Sequence, residues 1–195
     1  MLSPAELRER YARVQEDVGA NVTVVAATKY VSLEDMATLL EAGITVVGEN
    51  RAQDLEAKHA RYGDAFRWHF IGRLQSNKTK IVNQTCELVH SLDTDSAARR
   101  LEIPALVQVN LAGEASKGGV LPEELQPYLR YDVRGLSTMP PAAATPEASR
   151  PWFRRLRELA AEHGLAELSM GTTQDYGVAA EEGATYVRVG SSLFR

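Results

Sequence analysis

The feature that most constrains this chain is a regular alternation of short apolar segments with longer, more polar and periodic segments. Apolar and β-branched residues dominate segments such as Val22–Thr28, as they do in strands that are covered on both faces. Glycines follow several of the helical patterns, at Gly19, Gly43 and Gly164, where they are expected to end those helices. Strict alternation of this kind predicts a parallel sheet with crossover helices.

Eight strands are predicted, and eight βα units indicate an α/β fold of the closed (β/α)8 type, a TIM barrel formed as one domain over residues 1–195. The predicted strands are Val22–Thr28, Ile44–Gly48, Arg67–Ile71, Leu88–Ser91, Pro104–Leu111, Val133–Leu136, Glu167–Met170 and Tyr186–Val189. The predicted helices are Pro4–Val18, Leu33–Ala42, Arg51–Tyr62, Ser76–Asn83, Asp95–Leu101, Leu121–Leu129, Arg150–His163 and Asp175–Glu182. A doubly wound open sheet is the structural alternative, because 195 residues is short for a barrel.

Composition argues against several classes of protein. The net charge of -4 gives no electrostatic case for binding nucleic acid. No apolar run is long enough to cross a membrane, and the first residues lack the apolar core of a signal peptide. Cys86 is the single cysteine, which excludes an intrachain disulfide and a multi-cysteine metal site. We therefore expect a cytoplasmic protein without a bound metal.

A lysine ends the first predicted strand, at Lys29 in "VTVVAATKY". A lysine can form a Schiff base with an aldehyde when its amine is neutral part of the time, and burial favours the neutral form. The sequence contains five lysines, and Lys29 alone follows a long apolar run. The alternative is a solvated lysine where the strand meets water.

Two turns after predicted strands have the composition of phosphate sites. "SMGTTQD" places Thr172 and Thr173 after a glycine and before a helix, where backbone N–H groups converge. "VGSSLF" offers Gly190 and Ser191 in the same way, and barrels commonly bind phosphate after their seventh and eighth strands. Each turn alone is also compatible with an ordinary helix start.

A lysine and a phosphate cradle at the same end of a barrel suit a Schiff base to a phosphorylated aldehyde, such as pyridoxal phosphate (PLP) or an aldolase substrate. Arg188 lies two residues before Gly190 and favours the first reading, since an arginine facing the pyridine nitrogen keeps that nitrogen unprotonated. A structural ion pair is the alternative role for Arg188.

Eight motifs carry a family resemblance over most of the chain, from about Leu7 to Phe194. They occur in the order "ATKY", "GENRAQ", "WHFIGRLQSNK", "LVHSLD", "QVNLAGEASKGG", "RGLSTMPP", "LSMGTTQD" and "ATYVRVGSSLF". Together they closely resemble the pyridoxal phosphate homeostasis proteins (YggS/PROSC), which are similar to the amino-terminal barrel of alanine racemase, the fold-type III arrangement. Members of that family hold PLP as a Schiff base and are thought to buffer or deliver it, without robust catalysis.

The resemblance implies a role for each matching residue. Lys29 would be the Schiff-base lysine, Asn50 would lie near the cofactor ring, and Arg188 would face the pyridine nitrogen. The remaining implied contacts form the pocket wall, the phosphate site and its turn: His69, Ile71, Met170, Gly171, Thr173, Gly190 and Ser191.

This chain departs from the family pattern at several places. Thr173 stands where the family commonly has a serine and keeps the hydroxyl. Ser137 stands where a methionine is common, which removes an apolar pocket contact. The stretch from Asp95 to Pro104 is short, so either its helix is abridged or a segment is missing.

Two enzymes remain as alternatives to a PLP carrier. A racemase of this fold type needs a second base opposite the lysine, commonly from an added β-domain; no such domain follows the eighth strand here, although His69 or Tyr176 could serve. A Schiff-base aldolase is the other alternative. The expected partners are PLP and PLP-dependent apoenzymes, and we expect a monomer.

Overall fold

A closed barrel of eight parallel strands forms the centre of the molecule in the computed structural model, which describes residues 2–195. Residue 1 of the predicted domain lies outside this range. The strands are β1 (Thr23–Ala27), β2 (Val46–Glu49), β3 (Arg67–Phe70), β4 (Leu88–Leu92), β5 (Ala105–Gln108), β6 (Val133–Ser137), β7 (Glu167–Thr172) and β8 (Tyr186–Val189). Val25 of β1 is in register with Arg188 of β8, which closes the barrel. The predicted barrel is confirmed and the open sheet is excluded.

Eight helices of very different length accompany the strands within residues 2–195. They are α1 (Pro4–Val18), α2 (Met36–Glu41), α3 (Ala52–Tyr62), α4 (Thr79–Thr85), α5 (Asp95–Ala98), α6 (Arg150–Glu162), α7 (Tyr176–Glu181) and α8 (Ser191–Phe194). A capping box between Ser3 and Glu6 begins α1, and Gly19 ends it. The abridged helix of the short Asp95–Pro104 stretch is α5, which has four residues. None of the helices within residues 2–195 is both long and apolar enough to cross a bilayer.

One predicted helix is wrong. Leu121–Leu129 forms two short 3-10 segments, Pro122–Glu124 and Gln126–Arg130. Pro127 lies in the middle of the predicted helix, where it has no N–H to donate and its ring clashes with the preceding turn. The chain therefore crosses from β5 to β6 without an α-helix.

The strands separate two buried layers. Alternate residues of a strand face opposite sides, and one side packs against the helices in a continuous apolar core. That core includes Val24, Ala26, Trp68, Phe70, Met170 and Val187 from the strands and Leu7, Leu55 and Phe153 from the helices. Val25, Val46, Leu88 and Leu106 are buried outside this cluster and fill the inside of the barrel.

A close approach between two loops positions one predicted site residue. The Cα of Gly72 lies so near the backbone of Asn50 that a Cβ there would be 2.0 Å from the Asn50 carbonyl oxygen. The hydroxyl of Ser91 also donates to the Gly72 carbonyl. Glycine at position 72 therefore lets the loop after β3 pack directly behind Asn50.

Candidate functional site

A cavity of ≈ 420 Å³ opens at the carboxyl ends of the strands. Residues that follow β1, β2, β3, β6, β7 and β8 line it. Seven of the predicted site residues lie in this lining: Lys29, Asn50, Ile71, Thr173, Arg188, Gly190 and Ser191. The barrel thus brings both chain halves to a single site, at the end of the sheet where the fold places chemistry.

Lys29 lies at the mouth of this cavity, and its side chain is exposed. Its Nζ lies 4.9 Å from the centroid of the Tyr30 ring, over the ring face. Lys29 is therefore solvated, as the alternative allowed, because the chain turns out of the barrel wall directly after β1.

The buried lysine is Lys58, in α3. Its Nζ lies 2.5 Å from Glu49 Oε1 and donates to the Thr28 carbonyl oxygen over 2.9 Å. Thr28 Oγ1 donates to the same Glu49 oxygen over 2.6 Å. Thr28 and Glu49 directly precede Lys29 and Asn50, so this buried ion pair ties together the backbone that presents two site residues.

Sequence reasoning missed this ion pair, although a signal was present. Ala52, Leu55 and Lys58 recur every three residues in α3 and form its buried face. A lysine on the apolar face of a helix needs a buried partner, because an unpaired buried charge is costly. Glu49 is fully buried at the end of β2 and supplies that partner.

The two predicted phosphate turns contact each other. The backbone N–H of Gly190 donates to Thr173 Oγ1 over 3.2 Å, which joins the turn after β7 to the turn after β8. The Thr172 hydroxyl is engaged elsewhere, since Thr172 Oγ1 lies 3.1 Å from Asp175 Oδ1. Thr173 Oγ1 accepts from Gly190 but keeps its O–H proton to donate from the β7 turn, and Ser191 contributes the hydroxyl of the β8 turn.

Arg188 is the buried cation of the cavity, with 8% of its surface exposed. Its Nη2 donates to the Thr138 carbonyl oxygen over 2.8 Å, and its Nη1 donates to Ser169 Oγ over 3.0 Å. Within residues 2–195 no carboxylate pairs directly with this guanidinium, so the predicted alternative of a structural ion pair is not what the structure contains. Burial lowers the pKa of Arg188 to about 10, against a smaller opposing effect of Asp175.

Three predicted site residues do not line the cavity. His69 is buried inside the barrel below it, and Met170 faces the helices in the outer core. Gly171 has φ +89°, and a Cβ there would lie 2.5 Å from the Cβ of Ala179. Gly171 therefore allows α7 to pack closely against the end of β7, as the shaping of that turn requires.

An unpaired polar atom indicates what the cavity can hold. Asn50 Oδ1, on the cavity lining, is buried and has no hydrogen-bond partner within the described chain. Buried polar groups are normally paired, so an unpaired one beside a cavity suggests a ligand. A lysine amine, hydroxyl and backbone donors on two turns, an amide and a guanidinium fit a phosphorylated aromatic aldehyde.

The other titratable residues offer no second chemistry. Cys86 is buried, and burial raises the pKa of its thiol to about 12, which makes it a poor nucleophile. His90 is fully buried in the barrel. Among residues 2–195, no group of histidine, cysteine, aspartate and glutamate side chains is arranged to hold a metal ion.

No family model matches the chain. A pyridoxal phosphate homeostasis protein from Aquifex aeolicus is 39% identical to it, over 95% of this chain and 96% of that protein. PipY of Synechococcus elongatus has a similar structure, with a TM-score of 0.89 without PLP and 0.87 with PLP bound. The two PipY structures are 31% and 30% identical to this chain and cover 97% of it and 100% of PipY.

Lysine/ornithine decarboxylase from Vibrio vulnificus shares the barrel with a TM-score of 0.73. It is 16% identical, over 98% of this chain and 62% of the decarboxylase, which is a likeness of fold alone. The similarity to the Aquifex aeolicus protein is of another kind, because it extends over nearly the whole of both sequences. This chain belongs to the pyridoxal phosphate homeostasis protein family.

Proposed function

We propose that this chain binds PLP in the cavity at the carboxyl end of the barrel and holds it through a Schiff base with Lys29. One observation carries the proposal: the barrel brings the lysine that follows β1 to the same cavity as the two turns that follow β7 and β8. PipY, which is similar over its whole length, has been solved with PLP bound.

The cofactor would supply an aldehyde that a lysine can reversibly capture. Lys29 would hold the cofactor by condensing its amine with that aldehyde, a reaction that releases one water. Exposure of Lys29 at the cavity mouth supports reversibility, because water can return to the bond. A protein that stores and releases PLP needs that return path.

The phosphate would lie against Thr173, Gly190 and Ser191, on the two linked turns. Hydroxyl and backbone N–H groups are suitable donors for a phosphate. Asn50, with its unpaired Oδ1, would accept a hydrogen bond near the ring, and Ile71 would pack beside it. Three further residues would lie behind these cofactor contacts. One is His69, and the other two, Met170 and Gly171, would shape the β7 turn.

Arg188 would face the ring nitrogen and keep it unprotonated, which weakens the ring as an electron sink. This supports a role in PLP homeostasis, in which the protein buffers or delivers the cofactor without robust catalysis. A racemase would need a second base, and the two predicted bases do not reach the cavity. His69 is enclosed in the barrel, and the Tyr176 hydroxyl donates to Asp17 over 2.9 Å on the helical side.

PLP-dependent apoenzymes are the partners that this role requires. Tyr30 and Met139, the large hydrophobic side chains most exposed in the described chain, both line the cavity. An apolar rim of this kind supports contact with a recipient during transfer. We propose that the protein does this as a monomer.

Reduction with borohydride tests the Lys29 assignment. The purified protein is incubated with PLP, reduced, digested and mapped by mass spectrometry, and the five lysines of the chain can all be resolved. We expect a pyridoxyl adduct on Lys29, and its loss in Lys29→Ala. Lys80→Ala is the matched control and should retain the adduct, since Lys80 is exposed on α4.

Two results would contradict the proposal. An adduct spread over Lys58, Lys78, Lys80 and Lys117 would make Lys29 an ordinary solvated lysine. Rapid racemisation of alanine or serine by the purified protein would instead favour the enzyme alternative.

A further inference from the structure

Buried polar side chains continue below the cavity into the barrel. His69, His90 and Ser169 are each at most 1% exposed, and none of them lines the cavity. Barrel interiors are usually filled by branched apolar side chains. Two histidines and a serine buried at this level therefore need hydrogen-bond partners, and their presence there needs an explanation.

Four hydrogen bonds join these residues into one chain. Glu87 Oε1 lies 2.8 Å from His69 Nε2, and His69 Nδ1 lies 2.8 Å from His90 Nε2. His90 Nδ1 then lies 2.7 Å from Ser169 Oγ, which accepts from Arg188 Nη1 over 3.0 Å. The chain runs from the amino-terminal rim of the barrel, where Glu87 precedes β4, to the guanidinium at the cavity.

The two ends limit the directions that the bonds in this chain can take. An arginine can only donate, and a carboxylate can only accept. Since Ser169 accepts from Arg188, its own hydroxyl proton is available for His90 Nδ1. His90 Nε2–H then donates to His69 Nδ1, and His69 Nε2–H donates to Glu87. In this order each histidine carries one proton, on Nε2.

The opposite direction at the histidines would require one more proton. If His90 donated from Nδ1 to Ser169, its Nε2 would have to accept from His69 Nδ1–H. His69 would then carry protons on both nitrogens, because its Nε2 still faces the Glu87 carboxylate. If both histidines are neutral, only one placement of their protons pairs every ring nitrogen with a donor or an acceptor.

The groups packed around the two histidines do not compete with this pattern of hydrogen bonds. The Tyr186 ring packs against both histidines, with centroid distances of 5.8 Å to His69 and 5.1 Å to His90. Arg67 Nη2 lies 2.8 Å from Glu87 Oε1 and keeps that carboxylate charged at the rim. Glu167 is occupied by the Tyr186 hydroxyl, 3.3 Å away, and does not contact the histidines.

We propose that Glu87, His69, His90 and Ser169 are positioning residues for Arg188. This inference rests on the proposed function, because Arg188 is the residue that would face the ring of PLP. Ser169 accepts from one terminal nitrogen of the guanidinium, Nη1, while the Thr138 carbonyl accepts from the other, Nη2. Hydrogen bonds aligned toward a carboxylate strengthen one another, so the distant Glu87 makes Ser169 a better acceptor for a buried cation.

The order of protons can be tested without PLP. In the apoprotein with ¹⁵N-labelled histidine, two-dimensional NMR distinguishes protonated from unprotonated ring nitrogens. We expect His69 and His90 at neutral pH to carry hydrogen on Nε2 and none on Nδ1. A neutral His90 with its proton on Nδ1 would overturn the proposal.

A matched pair of serine variants tests the consequence for the cavity. Ser169→Ala removes the hydroxyl that belongs to the hydrogen-bond chain. Ser137→Ala removes another buried hydroxyl, on β6 and in register with Ser169. The Ser137 hydroxyl donates to the His90 carbonyl and not to the His90 ring. We expect Ser169→Ala to weaken PLP binding about tenfold, as loss of one buried bond to a charged group implies, and to shift the His90 Nδ1 resonance. Ser137→Ala should change PLP affinity by less than about twofold and leave that resonance in place.

Equal weakening by the two variants would assign the effect to general packing and reject the positioning role. Ser169→Thr, which restores a hydroxyl, should recover most of the affinity and serves if the alanine variant folds poorly. If the wild-type protein does not bind PLP at all, the proposed function fails. The histidine resonances of the apoprotein still decide whether the chain exists.

Discussion

At the scale of single residues, two lysines at the same end of the barrel have opposite environments. Lys29 is exposed at the cavity mouth, and Lys58 is 6% exposed beside a fully buried Glu49. An apolar run before a lysine indicates where a strand ends, but it does not show which way the chain turns next. The burial of Lys58 could be detected only from its three-residue spacing with Ala52 and Leu55 on one face of α3.

Replacing Lys58 should test the buried ion pair. Lys58→Met leaves the Glu49 carboxylate buried without a counter-charge, and removal of one partner of such a pair typically costs about 3–5 kcal/mol. We expect a loss of that order in the free energy of unfolding, measured by urea denaturation. Adding Glu49→Gln to Lys58→Met should restore part of the loss, because the amide is neutral and still accepts from Thr28.

Lys80→Met is the control for removing a lysine charge. Lys80 is exposed, so its replacement should change stability by no more than about 0.5 kcal/mol. If Lys58→Met were as mild as Lys80→Met, the ion pair would contribute little to the fold.

At the scale of elements, the strands were predictable and several connections were not. β8 has the predicted bounds, Tyr186–Val189, because a short apolar run between a glycine-bearing turn and a following "GSS" has few other interpretations. The crossover at Leu121–Leu129 was predicted as a helix, and Pro127 prevents a continuous α-helix there. A helix that a single missing backbone N–H prevents is harder to infer from sequence than a strand that is marked by a run of buried residues.

The connection from β7 to α7 gives a test at this scale. Gly171→Ala would place a Cβ 2.5 Å from Ala179 Cβ and 3.0 Å from Tyr176 Cα, at a positive φ. Strain of a left-handed conformation costs about 1–2 kcal/mol and overpacking about 1–3 kcal/mol. We therefore expect a loss of roughly 2–5 kcal/mol in the free energy of unfolding, together with weaker PLP binding.

Gly177→Ala is the matched control within α7. No atom lies within 4 Å of the position its Cβ would take. Alanine in a helix is favoured over glycine by about 0.5–1 kcal/mol, so this variant should be slightly more stable than wild type. Destabilisation by Gly177→Ala of the same size as that by Gly171→Ala would argue against the close approach.

At the scale of the whole molecule, the site could be inferred in outline but the barrel interior could not. Lys29, Thr173 and Gly190 follow strands, and a closed parallel barrel brings such positions together whatever the details. The contact between His69 and His90 depends on the register between β3 and β4 and on which residues face inward. No short sequence pattern records that register, so the hydrogen-bond chain became visible only with the structure.

The buried histidines make the stability of the whole molecule depend on pH. Burial, with the nearby charge of Arg188, holds the pKa of His90 well below its usual value. The hydrogen bond from His69 is the main reason why the pKa of Glu87 is lowered to about 2. Both shifts have the same sign, because in both cases the unfolded chain binds more protons than the folded one in acid.

We therefore expect stability to fall as the pH drops below about 6.5, the histidine value in an unfolded chain, and to fall further below about 4.3, the glutamate value. Urea denaturation of the apoprotein between pH 7.5 and 5, as a suggested range, measures the first part. His90 can contribute at most about 1.4 kcal/mol per pH unit. His90→Gln should lose that contribution, and equal pH slopes in the two proteins would show that His90 is not buried as a neutral ring.

The pairing of β1 with β8 has a consequence for how the protein is made. Val25 and Arg188 are neighbours in the barrel but come from the first and the last strand. A growing chain therefore cannot close the cavity until Gly190 and Ser191 have left the ribosome, although Lys29 emerged long before. Contacts so distant in sequence also slow folding. A ligand that contacts both Lys29 and the turn after β8 would stabilise the newly closed barrel. The cellular supply of PLP would then influence how much of the protein reaches the folded state.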